Sequence, residues 1–144
     1  MCFSLIFLSS KIEIITQSIF KLLKARTSQQ NSIYQVLDEL GRPAPAKVLW
    51  ELASNIVPGL GLATVYRALK TLSKEGKIRK IEVEGLPPQY EKMRDEHTHY
   101  FVCEDCHTMF DLQGSPGGFN KLLPPGFVMS KHKIFIYGAC QDCV

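Results

Sequence analysis

The chain has 144 residues, 45% of them hydrophobic, which allows one or two globular domains and argues against a largely disordered protein. Its net charge of +3 conceals an asymmetry: residues 1–94 contain 14 Lys and Arg against 8 Asp and Glu, whereas residues 95–144 contain 3 against 6. A basic first part followed by an acidic second part indicates an anion-binding module joined to a metal-binding module.

An apolar stretch opens the chain at residues 1–10, before Lys11 and Glu13 interrupt it. No basic residue precedes this stretch, as a secretory signal requires, and it is too short to span a bilayer. We therefore expect residues 1–15 to be an extension of unknown role, with Cys2 as an incidental thiol. The expected protein is cytoplasmic and has no membrane partner.

Apolar residues at helical spacing predict four helices in the next sixty residues. The first covers residues 14–26, the second is capped at Thr27 or Ser28 and ends at Gly41, and the third opens at Pro45 and closes at Pro58. The fourth runs from Gly61 to Gly76. The third helix is expected to bury one stripe, formed by Val48, Leu49, Leu52 and Ile56.

The apolar period then shortens towards two, which is typical of β-strands. Ile78, Ile81 and Val83 predict one strand, residues 85–88 a turn and residues 89–91 a return strand. Helices followed by a two-stranded hairpin describe a winged helix-turn-helix, because the short connector at residues 58–61 matches the layout of that motif.

The second part predicts a three-stranded sheet with short strands at residues 100–102, 109–110 and 134–137. A breaker cluster at residues 114–118 precedes one or two helical turns at residues 119–123. The overall class is therefore α+β. Because so small a sheet has little core of its own, we expect a zinc ion and a partner subunit to stabilise it.

Two Cys-x-x-Cys pairs are the strongest motif of the chain. They are separated by 33 residues and consist of Cys103 and Cys106, then Cys140 and Cys143. Four thiolates delivered in this way can surround one Zn²⁺ ion as a tetrahedron. Two disulfides or a thioredoxin-like redox pair are the alternatives, which the cytoplasmic expectation and the doubled motif disfavour.

A His-x-His pair, His97 and His99, precedes the first cysteine. Residues two apart on a strand point to the same side, so both imidazoles can face one ion. Glu91 and Asp111 can add carboxylates, and such a mixed site suits Zn²⁺, Fe²⁺ or Mn²⁺. Surface histidines in a charged linker are the alternative, and the roles of His107 and His132 stay open.

The outward face of the fourth predicted helix has side chains that suit DNA. An α-helix fits the major groove, where Arg67 can hydrogen-bond guanine and Tyr66 can contact a thymine methyl group. Thr64 and Lys70 are further candidates for DNA contact. An ordinary amphipathic helix with a solvated basic face remains the alternative.

Taken together, these residues resemble the ferric uptake regulator family of metal-responsive bacterial repressors. The matching positions are residues 27–30, 63–67, 75–76, 90–91 and 137–143, together with His97, His99, Cys103, Cys106 and Asp111. The likeness covers residues 16–144.

The resemblance implies a homodimer that binds a double-stranded DNA operator. It implies a winged-helix domain at residues 16–92 that reads bases through Tyr66 and Arg67, and a small α/β dimerisation domain at residues 93–144. The four cysteines would hold structural Zn²⁺, and Glu91, His97, His99 and Asp111 would hold a regulatory Fe²⁺, Zn²⁺ or Mn²⁺. The expected function is metal-dependent regulation, as a repressor of metal homeostasis or oxidative stress genes, without catalytic activity.

Three departures from the family pattern accompany this likeness. Arg42 stands where members commonly have a histidine, the His-x-His pair lies one residue farther from Cys103, and Pro116 with two glycines breaks the expected dimerisation helix. The alternatives are a zinc-ribbon module that binds an acidic protein, a thiol redox enzyme, and a peroxide-sensing member of the same family.

Overall fold

The computed structural model describes residues 17–18, 28–94, 98–114 and 116–144. The extension at residues 1–15 with Cys2, most of the predicted helix at residues 14–26, Thr27 and His97 lie outside these ranges, although residues 17 and 18 are helical. Within the described ranges, no helix is long and apolar enough to cross a membrane.

Three helices form the first part of the described chain. They are α1 at residues 28–40, α2 at Ala46–Ile56 and α3 at Leu62–Lys74. Gly41 follows α1 with φ of 59° and Gly76 follows α3 with φ of 68°, a left-handed conformation that glycine adopts readily at helix ends. The predicted helix ends at these two glycines are confirmed.

The buried face of α2 differs from the predicted stripe. Leu49 is fully buried, but Leu52 and Ile56 are 38% and 45% exposed, so the prediction is wrong for these two residues. Ala46 and Ala53 are buried beside Leu49 instead. Helical spacing alone does not separate two neighbouring faces of a helix, because apolar residues lie on both faces of α2.

The first sheet has the order β1-β3-β2, with β1 at Ala44–Pro45, β2 at Ile78–Ile81 and β3 at Gln89–Lys92. Strands β2 and β3 form the predicted antiparallel hairpin, in which Ile78 pairs with Lys92. Strand β1 was not predicted, because the third predicted helix was expected to open at Pro45. Because proline cannot donate to a ladder, Pro45 suits the sheet edge that β1 occupies.

The second sheet has the order β5-β4-β6, with β4 at His99–Cys103, β5 at Met109–Leu112 and β6 at Phe135–Gly138. Strand β4 pairs antiparallel with β5 and parallel with β6. All three predicted strands are confirmed. The predicted helical turns form a short 3-10 helix, η1, at Phe119–Leu122.

The two sheets meet through a small apolar cluster. Tyr100, Val102 and Met109 of the second sheet pack against Ile81 and Val83, which lie in and just after β2. The wing of the first part therefore completes the core of the second sheet, and this contact positions the charged residues described below.

Candidate metal centre and nucleic-acid interface

Four cysteines from two turns converge at one end of the second sheet. Cys103 ends β4, and Cys140 follows β6 by two residues. Because β4 and β6 are parallel, with Cys103 opposite Gly138, both strands deliver their following turns to the same end. The Sγ atoms of Cys103, Cys106, Cys140 and Cys143 all lie within 4.8 Å of one another.

The sulfur positions fit a tetrahedral zinc ion. The Sγ atoms of Cys106 and Cys140 are 3.7 Å apart. Four sulfurs at about 2.3 Å from one cation are about 3.8 Å from each other, whereas a disulfide requires about 2.05 Å. All four thiols are free. The predicted meeting of the two Cys-x-x-Cys pairs is confirmed, and the cluster suits structural zinc.

Backbone hydrogen bonds shape the turns around this cluster. The amide of Cys140 donates to Cys103 Sγ at 3.3 Å, and the amide of His107 donates to the Cys103 carbonyl at 3.0 Å. His107 has φ of 58°, the left-handed value that closes the turn, and its side chain is exposed. His107 thus has a structural position in the turn.

The cysteine thiols have unequal proton affinities. The backbone hydrogen bond from Cys106 lowers the pKa of Cys103 to about 6, against the opposing effect of burial. The hydrogen bond with the Cys140 sulfur, together with burial, raises the pKa of Cys143 to about 12. Without metal the cluster therefore retains protons, and zinc binding has to release them.

Glu91, a predicted regulatory ligand, is buried in a hydrogen-bonded network. Its Oε1 accepts hydrogen bonds from Arg79 Nε and from the Tyr100 hydroxyl group. Arg79 also donates to the Tyr100 oxygen at 2.9 Å. Burial and the hydrogen bond to Glu91 raise the pKa of Tyr100. Among the described residues, the other carboxylate oxygen, Glu91 Oε2, is buried without a hydrogen-bond partner.

Asp111, a second predicted ligand, has a similar environment. Its Oδ2 accepts a hydrogen bond from Arg94 Nη1, and Arg94 Nη2 donates to the carbonyl of Gly41 at 3.0 Å. Asp111 Oδ1 is buried and, within the described part of the chain, has no hydrogen-bond partner. Each carboxylate therefore binds an arginine through one oxygen and leaves the other available.

His99 lies beside a second histidine. It is 1% exposed, and its Nδ1 accepts a hydrogen bond from the Ile134 amide at 3.3 Å. The rings of His99 and His132 have centroids 4.9 Å apart.

The described members of the predicted regulatory set, Glu91, His99 and Asp111, do not form a metal-binding cluster. His97 lies outside the described residues, and the described His, Cys, Asp and Glu side chains form one cluster of three or more, the four cysteines. The assignment of Glu91, His97, His99 and Asp111 to a metal therefore stays a prediction.

Helix α3 presents the predicted DNA-contacting residues to solvent. Its inner face buries Val65, Ala68, Leu69 and Leu72. On the outer face Tyr66 is 52% exposed, and Arg67 Nη2 donates to Thr64 Oγ1 at 3.1 Å. The surrounding exposed lysines are Lys70, Lys74, Lys77 and Lys80. This arrangement suits a major groove flanked by phosphates.

The connector between α2 and α3 is fixed by a tryptophan. Trp50 Nε1 donates to the Leu60 carbonyl at 2.6 Å, and Leu60 is itself buried. This bond ties the end of the connector to α2, two residues before α3 begins.

Sequence reasoning missed the cationic partners of the two carboxylates. Arg79 follows Ile78 on a predicted strand and precedes Lys80, and Arg94 lies three residues after Glu91. Their spacing indicates charged residues near the junction between the two parts. The pairing itself spans 12 residues for Arg79–Glu91 and 17 for Arg94–Asp111 and depends on the fold.

Comparisons with known proteins agree with this architecture. The ferric uptake regulator family model matches residues 23–117. The ferric uptake regulation protein of Staphylococcus aureus is 27% identical over 132 residues, covering 89% of this chain and 97% of that protein. The peroxide operon regulator of Bacillus subtilis is 26% identical over 121 residues, covering 81% of this chain and 82% of that protein.

A solved structure with low sequence identity to this chain has the same fold. The crystal structure of the Vibrio cholerae ferric uptake regulator superposes with a TM-score of 0.65 at 22% identity, covering 83% of this chain and 98% of that one. With the winged first part and the four-cysteine cluster in place, this chain belongs to the ferric uptake regulator family of metal-responsive transcriptional regulators.

Proposed function

We propose that the chain is a zinc-stabilised homodimer that binds operator DNA and represses transcription when a second divalent metal is bound. Residues 16–92 form the DNA-binding unit and residues 93–144 the dimerisation unit of this cytoplasmic, non-catalytic protein. The observation that carries the proposal is the outer face of α3, where Tyr66 and Arg67 are exposed opposite a fully apolar inner face.

DNA recognition follows from the chemistry of that face. Arg67 can donate two hydrogen bonds to guanine, and its bond to Thr64 holds the guanidinium in one orientation before DNA arrives. Tyr66 offers a ring to a thymine methyl group. Lys70 and its neighbouring lysines contribute phosphate contacts, which orient the helix without reading sequence.

Exposed apolar side chains in the second part support a homodimer. They are Leu122 at 78%, Phe127 at 67%, Val128 at 93%, Ile136 at 49% and Tyr137 at 49% exposure. Large apolar side chains exposed in number on one small domain commonly mark an interaction surface. A second copy would cover them and set two α3 helices at the spacing of a two-fold symmetric operator.

The two metal sites have different donors. Cys103, Cys106, Cys140 and Cys143 would hold Zn²⁺ as a structural ion. Glu91, His97, His99 and Asp111 would hold Fe²⁺, Zn²⁺ or Mn²⁺, and the buried Glu91 Oε2 and Asp111 Oδ1 are available carboxylate oxygens for it. A bound divalent metal would favour the DNA-competent arrangement, provided that it binds this arrangement more tightly than the other.

A peroxide-sensing role is the second candidate. The likeness to the Bacillus subtilis peroxide operon regulator favours it. Loss of DNA binding after hydrogen peroxide treatment of the Fe²⁺-loaded protein, but not of the Mn²⁺-loaded protein, would support this candidate over simple metal sensing.

Duplexes selected from a random pool provide the test of DNA recognition. We expect the protein to enrich a two-fold symmetric sequence, with affinity rising on addition of Mn²⁺ and falling steeply with salt. Arg67→Ala should lose about 1–3 kcal/mol on the selected duplex and relax its base preference. The exposed Lys131→Ala variant is the charge-matched control. Failure to select any duplex, or loss of zinc from Arg67→Ala, would contradict the proposal.

A further inference from the structure

Arg42 and Arg79 of the first part contact the second sheet, and Arg94, which follows β3, links Gly41 of the first part to Asp111 of the second sheet. The contacts, called the arginine bridges here, are Arg42 with Phe110, Arg79 with Tyr100, and Arg94 with Asp111. Arg42 stacks its guanidinium carbon 6.0 Å from the ring centroid, and the other two bridges are hydrogen-bonded. All three join the winged-helix part to strands β4 and β5.

Two of these arginines neutralise the carboxylates that the family resemblance assigns to a regulatory metal. Glu91 is 1% exposed and pairs with Arg79, which is 29% exposed. Asp111 is 10% exposed and pairs with Arg94, which is 34% exposed. Because burial reduces screening by water, these pairs are stronger than ion pairs on an open surface.

A third cation strengthens the positive field at the same junction. Lys133 Nζ lies 5.1 Å from the centroid of the Tyr100 ring, and Tyr100 donates to Glu91. Partial burial and the nearby Arg79 lower the pKa of Lys133, whereas Glu91 raises it. A divalent ion that approaches Glu91 Oε2 or Asp111 Oδ1 therefore meets carboxylates whose charge is already balanced.

We infer that the arginine bridges are built-in counter-cations that hold the two parts of the chain together without a regulatory metal and oppose its binding. This inference rests on the proposed function, because it concerns the control of the same DNA-binding arrangement. A metal shifts a population only by its differential affinity for the two states. An arrangement already favoured by arginines therefore responds less to metal.

Mn²⁺ binding to the zinc-loaded protein tests the competition directly, since Mn²⁺ prefers oxygen and nitrogen donors to thiolates. Electron paramagnetic resonance measures free Mn²⁺ during the titration. Arg94→Gln removes the guanidinium charge but keeps an amide donor. We expect it to bind Mn²⁺ about tenfold more tightly than the unmodified chain, equivalent to about 1.4 kcal/mol.

Two controls accompany this titration. The exposed Lys121→Gln variant loses the same charge away from the junction and should bind Mn²⁺ as the unmodified chain does. One zinc per chain and an unchanged circular dichroism spectrum establish that Arg94→Gln is folded, and Arg94→Lys, which keeps the charge, should restore the weaker binding. Equal or weaker Mn²⁺ binding by folded Arg94→Gln would overturn the inference.

A second measurement tests whether the arginine bridges hold the two parts of the chain together without a regulatory metal. Both proteins are first treated with a chelator that leaves one zinc per chain. In this state the unmodified protein should bind DNA about tenfold more tightly than Arg94→Gln does. Addition of Mn²⁺ should restore the DNA affinity of Arg94→Gln. An Arg94→Gln variant with unchanged metal-free affinity would overturn the inference. If the unmodified chain selects no duplex, the proposed function fails, and the Mn²⁺ titration still decides whether arginine opposes the metal.

Discussion

The part of the molecule that contains α1, α2 and α3 differs from the second sheet in what holds it together. Among the described residues, fourteen buried residues form the apolar cluster of the helical part, whereas the cluster beneath the second sheet has five. Ile81 and Val83, two of those five, belong to the wing. Burial can stabilise the helical part by itself, and the second sheet needs help from outside its own core.

This difference explains why sulfur ligands lie at one end of the second sheet and arginine contacts at the other. The four sulfurs lie together at its far end, where a bound structural ion would replace missing apolar contacts. The arginine bridges close its near end against the helical part. The second sheet is thus joined on one side to the larger core, and within the described residues the helical segment that follows β5 is the short η1.

Removal of a zinc ligand should have the largest effect, and it should destabilise the second sheet rather than the helical part. Cys103→Ser should remove an interaction worth about 10 kcal/mol in small zinc domains, so the second sheet should unfold and the dimer should dissociate. The helical part should keep its circular dichroism signal, because its core contains no zinc ligand among the described residues. Zinc content, light scattering and circular dichroism measure the three outcomes.

Cys2→Ser is the matched control for that experiment, since this thiol lies outside the paired pattern. It should retain one zinc per chain and the dimer. A stable, dimeric and zinc-free Cys103→Ser protein would contradict the view that the second sheet depends on ligation.

Truncation of the helical core should have a smaller effect and should spare the zinc. Leu49 on α2 is fully buried, so Leu49→Ala should reduce the free energy of unfolding by about 3 kcal/mol. Leu52→Ala on the same helix should cost less than about 1 kcal/mol, because that side chain is 38% exposed. Urea denaturation followed by circular dichroism measures both values.

The pair of leucines also tests the corrected face of α2. Equal losses from the two variants would mean that Leu52 is buried in solution, for instance by a partner. Loss of zinc from Leu49→Ala would mean that unfolding of the helical part and unfolding of the second sheet are coupled.

The smallest expected effect concerns a single phosphate contact. Lys70 is exposed on α3, so Lys70→Ala should leave stability and zinc content unchanged. It should weaken binding to all duplexes similarly and reduce the slope of log affinity against log salt by about 0.9. A change in base preference without a change in this slope would assign Lys70 to base reading instead. Fluorescence anisotropy over a series of salt concentrations measures the slope.

The features that could be predicted from the sequence are those that depend on residues close together in the chain. Three such features are present in the structure: the helix ends at Gly41 and Gly76, the strands on either side of residues 85–88, and the two cysteine turns. The four sulfurs were predictable as a group because zinc geometry demands four donors and the chain offers them in two pairs.

Only the tertiary structure decided which faces and charges meet. Leu52 is exposed and Ala53 buried on the same helix, a choice made by the packing of α2 rather than by periodicity. The pairs Arg79–Glu91 and Arg94–Asp111 depend on how the wing and the second sheet approach each other. A carboxylate that can bind a metal or an arginine has the same sequence signature in either case, because both partners are cations and only their positions in space differ.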